Sequence, residues 1–412
     1  MFIRRNEINV LVALEVGTSK VVAAAAGLRA DGSMMLLGVG EAPSSGVRKG
    51  EIVDFRDAQA CVRQALHSAE KEADVEIKEV YLVLTGSHIT SRTDVVRANI
   101  DNEDKQVTEA DVEELKQLAD RLVIPRDYVI VRSLLQHYCL DNQAISREPV
   151  GLSSQTLEAH YHLIYGLKTR LQTTVRCVRE QDIDICGYAP ASYAMAQSTL
   201  SSRAKQAGAL AIDMGAGVTN YIVYLEGEAV HTGVIGVGGD HLTQDLAMGL
   251  RLPESKAEKL KKTHGDLFMD GHHRDEQIIM ERDMTFEERV IYRDSMIKIL
   301  NVRQRELLEL IEQDIEFRGL WPRLAGGVFI TGGASQIKGL HRLASEVFPV
   351  PVELVHEHTF DGGQTYNKRP DLSTVLGMLK CAHREELQKM RPSGWKHFHR
   401  SFMNLLASMR LF

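Results

Sequence analysis

Leu11-Val12-Ala13-Leu14-Glu15-Val16-Gly17-Thr18-Ser19-Lys20 and, far downstream, Leu210-Ala211-Ile212-Asp213-Met214-Gly215-Ala216-Gly217-Val218-Thr219-Asn220 follow one pattern. Each is an apolar run with an acid near its end and a turn of glycine and small residues, which reads as a buried strand leaving its sheet. Each continues into a second apolar strand, Val21 to Gly27 and Tyr221 to Leu225, and the second pair turns again through Glu226-Gly227-Glu228. The chain therefore carries the same β-hairpin twice, with a phosphate-sized turn in each copy.

Such a turn has simple chemistry. Small residues let backbone N–H groups approach an anion, hydroxyls add donors, and a lysine adds charge. Gly17, Thr18, Ser19 and Lys20 in the first copy, and Gly215, Ala216, Gly217 and Val218 in the second, are the candidate phosphate clamp. Glu15 and Asp213, at the two strand ends, are placed to hold the hydration shell of Mg²⁺, which keeps several waters and needs few protein ligands. A third turn, within Gly326-Gly327-Val328-Phe329-Ile330-Thr331-Gly332-Gly333-Ala334-Ser335, adds Gly332, Gly333 and Ala334 as backbone partners for a nucleotide. Any one of these turns alone is more often only a tight turn; their repetition implies a nucleotide cleft between two related halves.

The 412 residues are 44% hydrophobic and 25% charged, proportions of a large globular chain with room for several domains. Cys61, Cys139, Cys177, Cys186 and Cys381 show no paired spacing, so reduced cytoplasmic thiols are expected. The N-terminus lacks a signal-peptide pattern, and the longest apolar run, Val21 to Leu28, is too short to span a bilayer. The net charge of -7 argues against a general nucleic-acid binder.

Charge is unevenly placed. Leu387 to Phe412 holds Lys389, Arg391, Lys396, Arg400 and Arg410 and no acid, so the tail carries +5 and the body about -12. After Arg391-Pro392-Ser393-Gly394, the residues Trp395, Phe398, Phe402, Leu405, Leu406, Met409 and Phe412 fall on one helical face, opposite Lys396, His397, Arg400 and Asn404. This is the pattern of a basic amphipathic helix lying in an anionic membrane interface; a helix docked on the protein's own core is the competing reading.

Between these landmarks strands and helices alternate. Asp57 to Ala73 has helical spacing, Val80 to Gly86 reads as a buried strand, and Thr108 with Asp111 fits a helix cap. Ser87 to Tyr165 reads as a small inserted domain with strands at Tyr128 to Leu135 and Thr156 to Tyr165. Arg170 to Glu180 and His241 to Met248 are expected helices, and Asp182 to Ala189 an expected strand. In Ser255 to Lys262, Glu258, Lys261 and Lys262 share a helical face; they are either a solvated ion-pair set or a ribose and base contact.

These hairpins, the Thr331-Gly332-Gly333 turn, Tyr81 to Ile89, Glu148-Pro149-Val150-Gly151-Leu152, Lys256 to Lys261 with His264-Gly265, and Pro370 to Leu379 together resemble the actin, Hsp70 and sugar-kinase superfamily. Within it the chain resembles the FtsA family of bacterial cell-division proteins over almost its whole length. The resemblance implies an α/β, actin-like ATPase fold: two RNase H-like halves with inserted lobes, an FtsA-type 1C subdomain in place of actin 1B, and a C-terminal amphipathic helix. It assigns 1–86, 166–200 and 356–386 to subdomain 1A, 87–165 to 1C, 201–226 and 301–355 to 2A, 227–300 to 2B, 387–394 to a linker and 395–412 to the membrane helix. It implies ATP and Mg²⁺ in the cleft and a peripheral place on the cytoplasmic face of the membrane at the septum. It also implies self-association into filaments, recruitment of later division proteins through 1C, and binding of the FtsZ C-terminal peptide by 2B. Arg282, Arg289 and Arg293 are the peptide-contact candidates, chosen by charge and location.

Some residues depart from the family pattern. The second turn has Ala216, Val218 and Asn220 where glycine, threonine and aspartate are common, and Gly187-Tyr188-Ala189-Pro190-Ala191-Ser192, expected in a connecting helix, lacks the acid that orients attacking water. Gln197 is a poorly spaced substitute, so weak hydrolysis or none is expected. A PilM-like pilus-assembly protein is the main alternative. A sugar kinase lacks a convincing general base here, and an Hsp70-type chaperone would need a further domain.

Overall fold

The computed structural model describes residues 9–29, 31–269, 276–280, 282 and 287–390. The expected membrane helix, including Trp395, Phe398, Phe402, Leu405, Leu406, Met409 and Phe412, lies outside the described residues.

Strands β1 (Asn9–Val16), β2 (Lys20–Leu28) and β3 (Met34–Pro43) form an antiparallel meander. A small hairpin of β4 (Val47–Arg48) and β5 (Glu51–Ile52), helix α1 (Phe55–Ala73) and strand β6 (Glu79–Leu84) follow, with β6 parallel to β1. The chain then builds a separate lobe from β7 (Thr90–Asn99), α2 (Glu109–Ala119), β8 (Tyr128–Leu140), β9 (Ala144–Ser146) and β10 (Thr156–Leu167). It returns through α3 (Lys168–Arg179) to β11 (Asp184–Pro190), completing a sheet ordered β11-β6-β1-β2-β3.

Helices α4 (Ala191–Thr199) and α5 (Ser202–Ala207) lead to a second meander, β12 (Ala209–Met214), β13 (Thr219–Leu225) and β14 (Glu228–Ile235). Helices α6 (Gly239–Leu250) and α7 (Glu254–His264), the hairpin β15 (Gln277–Met280) and β16 (Arg289–Tyr292), and the long α8 (Arg293–Phe317) form a second lobe. Strand β17 (Gly327–Thr331), helix α9 (Leu340–Val347) and strand β18 (Val352–Leu354) finish a sheet ordered β14-β13-β12-β17-β18, after which α10 (Ser373–Met390) returns to the first half. The two sheets have the same order: a three-stranded meander followed by two parallel strands. The hairpin repeat in the sequence is one visible part of a repeated half.

Central strands of a sheet covered on both faces read as continuous apolar runs. All six residues of β12 are buried, as are Leu11 to Leu14 of β1. Helix α1 starts where the Asp54 carboxylate accepts from the Asp57 amide at 3.1 Å, and it buries Ala58, Cys61, Val62, Ala65, Leu66 and Ala69 at helical spacing. Helices α4 and α10 share a core with strands of both sheets, including Ala13, Ala194, Ala211, Ile222, Leu376 and Leu379. They touch where a Cβ on Gly377 would lie 1.9 Å from the Ala194 carbonyl oxygen, so only glycine allows this crossing. The halves are joined through that pair.

The inserted lobe has its own core, including Val96, Ile100, Leu115, Tyr138, Leu157 and Leu163, and the Thr108–Asp111 capping box is present. It docks on the edge strand β14 through Ser91 to Thr232, His162 to Thr232, and Gln136 to the Ala229 carbonyl. Four expectations change. Strand β14 belongs to the main sheet, so the second lobe begins after Ile235, not at residue 227. Gly187 to Pro190 end strand β11, and the helix starts only at Ala191. Helix α6 begins two residues earlier than expected, where the His241 Nδ1 accepts from the Gly238 amide. The linker expected from residue 387 is helical through Met390.

Candidate functional site

The two repeated turns have one geometry. The Gly17 amide donates to the Lys20 carbonyl at 3.1 Å, and the Gly215 amide to the Val218 carbonyl at 3.0 Å. In both, a Cβ on the first glycine would meet that oxygen at 2.8 Å. The turns also meet: a Cβ on Gly217 would lie 2.4 Å from Thr18 Oγ1 and 3.0 Å from the Lys49 amide nitrogen. Thr18 is held by the Gly50 amide at 2.9 Å. Lys49 adds a cation that the sequence did not single out.

Around this junction the remaining candidates assemble. The start of α6 lies on the second turn, with the Gly239 amide on the Gly215 carbonyl at 3.0 Å and the Asp240 amide on the Ala216 carbonyl at 2.9 Å. Gly332 has φ +97°, and a Cβ there would strike Asp213 Oδ1 at 2.3 Å, so this turn requires glycine twice over. A Cβ on Gly333 would face Asp371, and one on Gly239 would face Ala334. Lys261 Nζ donates to the Gly239 carbonyl and to Thr243 Oγ1, both at 2.8 Å, and pairs with Glu258 at 2.6 Å. Lys262 reaches Glu258 at 3.1 Å from a mostly exposed position. Burial pushes the Glu258 carboxyl up, but its bonds to Lys261 and Thr243 outweigh that and hold it below the ordinary range. The candidates from the three turns and from α7 thus converge.

The two strand-end acids face each other. Burial, and then the Asp213 charge, push the Glu15 carboxyl up to about 8, with Lys20 opposing. Burial pushes Asp213 up to about 6 although Thr374 Oγ1 donates to it at 2.9 Å. With Lys20 the cation that opposes the shift of Glu15, the two carboxyls are incompletely neutralised, an environment that a hydrated divalent cation would complete. Lys20 is itself bound by Asp371 and, at 3.3 Å, by Glu41. Arg369 braces both of those acids, and its bonds together with Lys20 hold Asp371 well below the carboxylate range despite burial. Asp371, Glu41, Arg369 and Thr374 were missed because only the fold brings them to the turn.

Gln197 and two of the three candidate arginines are engaged by partners of their own. Gln197 is buried, with its amide donating to the Tyr193 carbonyl at 3.1 Å and to the Tyr224 hydroxyl at 3.2 Å, so it does not reach attacking water. Arg293 is committed within its own lobe, 2.8 Å from Glu276 and 3.8 Å from Asp266, and Arg289 caps the carbonyls of Leu250 and Arg251. Arg282 is exposed. The three arginines therefore do not form one open basic face. The second lobe instead offers a groove of about 420 Å³ between α6 and α8, lined by Asp245, Lys298, Ile299, Val302, Arg303 and Glu306.

Comparison with known proteins gives matches over nearly the whole chain. The family description "Cell division protein FtsA" matches residues 210–377, and "SHS2 domain inserted in FTSA" matches residues 86–165, the inserted lobe. A cell division protein FtsA of Pseudomonas aeruginosa is 30% identical over 369 residues, 90% of this chain and 88% of that protein. Among solved structures, a PilM-PilN type IV pilus biogenesis complex matches with TM-score 0.64 at 14% identity, over 90% of this chain and 98% of that one. MreB 5 of Spiroplasma citri bound to AMPPNP matches with TM-score 0.53 at 14% identity, over 93% and 98%.

Proposed function

Because the chain belongs to the FtsA family of cell-division proteins and has their actin-like fold, we propose that it is an ATP-binding adaptor of the division septum. In this reading it ties FtsZ filaments to the inner face of the cytoplasmic membrane through its C-terminal amphipathic helix, self-associates into filaments, and recruits later division proteins through the inserted lobe. The observation that carries it is the convergence of two equivalent glycine turns, one from each half, with two under-neutralised carboxyls behind them.

Backbone groups of Gly17, Thr18 and Ser19 and of Gly215 to Val218 would cradle the phosphates, and Lys20 would exchange an acid for a phosphate. Glu15 and Asp213 would hold Mg²⁺ through its water. Glu258, Lys261 and Lys262 would border the ribose and base, with Gly332, Gly333 and Ala334 closing the other side. The MreB 5 structure contains a nucleotide analogue, which supports the ligand class. Bound nucleotide would bridge the halves, with Mg²⁺ offsetting the charge of Glu15 and Asp213, favouring the closed body by mass action.

In this reading the FtsZ C-terminal peptide would bind the second lobe, either near Arg282, Arg289 and Arg293 or at the α6–α8 groove, where Val302 and Met248 are exposed. The exposed apolar side chains suit the apolar part of a short peptide; Lys298 and Arg303 are already paired with Asp294, Asp245 and Glu306. The PilM reading rests on shape at 14% identity, and the FtsA reading on 30% identity across most of the chain. Co-sedimentation with anionic vesicles and that peptide, with and without Mg-ATP, tests the proposal. Recruitment lost on deleting Ser393 to Phe412 supports the adaptor; ATP binding with neither vesicle nor peptide binding overturns it.

A further inference from the structure

Away from the cleft, two cations converge on one neutral oxygen. Gln197 on α4 has its amide nitrogen fixed by the Tyr193 carbonyl and the Tyr224 hydroxyl, which aims its Oε1 at Lys205 of α5, 2.7 Å away, and at Arg384 of α10, 3.3 Å away. The Lys205 ammonium also lies 4.9 Å from the centre of the Tyr224 ring. Lys380, one turn earlier on α10, sits 5.2 Å from the Phe360 ring and adds to the same field. The acids that follow Arg384 turn away: Glu385 pairs with Arg132 at 3.0 Å, and Glu386 accepts from the Tyr81 hydroxyl at 2.6 Å. Among the described residues no carboxylate is within ion-pair distance of Lys205, Arg384 or Lys380.

We propose that Lys205 and Arg384 form an anion site that takes a phosphate group, and that the phosphate it meets belongs to an anionic lipid headgroup. The charge-assisted bonds such a group accepts are stronger than those of the amide oxygen now shared by both cations. Burial, then Arg384 and Lys380, push the Lys205 ammonium down to about 8, as expected for cations facing each other without a counter-ion.

Position selects the lipid. Arg384 is six residues before Met390, about 9 Å along the helix at 1.5 Å per residue. Residues 391–394 add at most ~14 Å of extended chain before Trp395. If the tail lies in a membrane interface, which is the reading this inference rests on, the site lies within about 23 Å of chain from it. A basic footing on the body would then add to the tail and fix which face of the protein looks at the membrane.

The test uses the full chain and the acylation rate of Lys205, read by mass spectrometry. The measurement is made alone, with inorganic phosphate, with phosphatidylcholine vesicles and with phosphatidylglycerol-containing vesicles. Slower labelling with the anionic vesicles, abolished by Arg384→Gln and restored by Arg384→Lys, is the expected result. The Arg384→Gln chain should also bind those vesicles about fivefold more weakly. Protection by inorganic phosphate without protection by vesicles overturns the lipid assignment and makes the site one for soluble phosphate. No protection by either, in a chain that still sediments with anionic vesicles, overturns the site and leaves the tail reading standing. Loss of sedimentation as well would overturn both.

Discussion

Replacing Glu15 with glutamine should remove a pH-dependent instability and, with it, the proton that Mg-ATP displaces. The Glu15 carboxyl is raised from 4.5 to about 8 by burial and by Asp213. A raised carboxyl keeps its proton in the folded protein where the unfolded chain has already lost it. Its contribution is therefore fully present below pH 4.5 and disappears as pH rises towards 8. The shift corresponds to about 5 kcal/mol in full and about 3 kcal/mol by pH 7, both upper bounds for a group that is only partly enclosed. Glu15→Gln cannot ionise, so its stability relative to the parent chain should increase between pH 5 and pH 8, read from unfolding midpoints without nucleotide.

The second assay is calorimetric. At pH 7 a group with its pKa near 8 is about nine-tenths protonated, so drawing a divalent cation to the two acids should release close to one proton. Titrating Mg-ATP in buffers of different ionisation enthalpy measures that number directly. Apparent Mg-ATP affinity should rise from pH 6 to pH 8 in the parent chain and be nearly flat in Glu15→Gln. No proton release in the parent chain, or the same release in the variant, would refute the placement of the cation against Glu15.

Three further outcomes follow from the packing. Gly217→Val, which puts a Cβ 2.4 Å from Thr18 Oγ1, should cut ATP affinity at least tenfold while circular dichroism shows the fold retained; unchanged affinity would place the phosphates elsewhere. Gly332→Asp, at φ +97° and against Asp213, should abolish ATP binding by isothermal titration and lower the melting temperature through about 2–4 kcal/mol of strain and repulsion. Gly377→Ala should separate α4 from α10 and cost about 1–3 kcal/mol in chemical denaturation; an unchanged midpoint would refute the close crossing.

The elements that could be read from the sequence were those with local signals. The twin hairpins announce themselves through apolar runs bounded by glycine, and α2 through Thr108 and Asp111, because strand burial, turn chemistry and capping act between near neighbours. Lys20 binding Asp371 is different, since 351 positions separate the partners and only the return of α10 to the first half joins them. Charge and location marked Arg293 as a partner contact, but composition cannot say that Glu276 and Asp266 already enclose it. The lobe boundary was misplaced for a related reason: β14 is partly polar because it is an edge strand, and polarity alone made it look like the start of the lobe.

The same geometry that favours binding argues against turnover. In-line attack on a γ-phosphate needs a group that orients water. The strand end from Gly187 to Pro190 supplies no acid, and Gln197 is held by Tyr193, Tyr224 and Lys205. The cleft walls, however, belong to different halves that share a core through α4 and α10, so a ligand bridging them would favour whichever arrangement of the halves it binds best. A non-hydrolysable ATP analogue with Mg²⁺ should therefore support self-association and vesicle recruitment as well as ATP does, and ADP less well. Sedimentation across the three nucleotides measures this. Activity with ATP but not with the analogue would mean that hydrolysis drives assembly, and that a water-orienting group enters the cleft in a state other than this one.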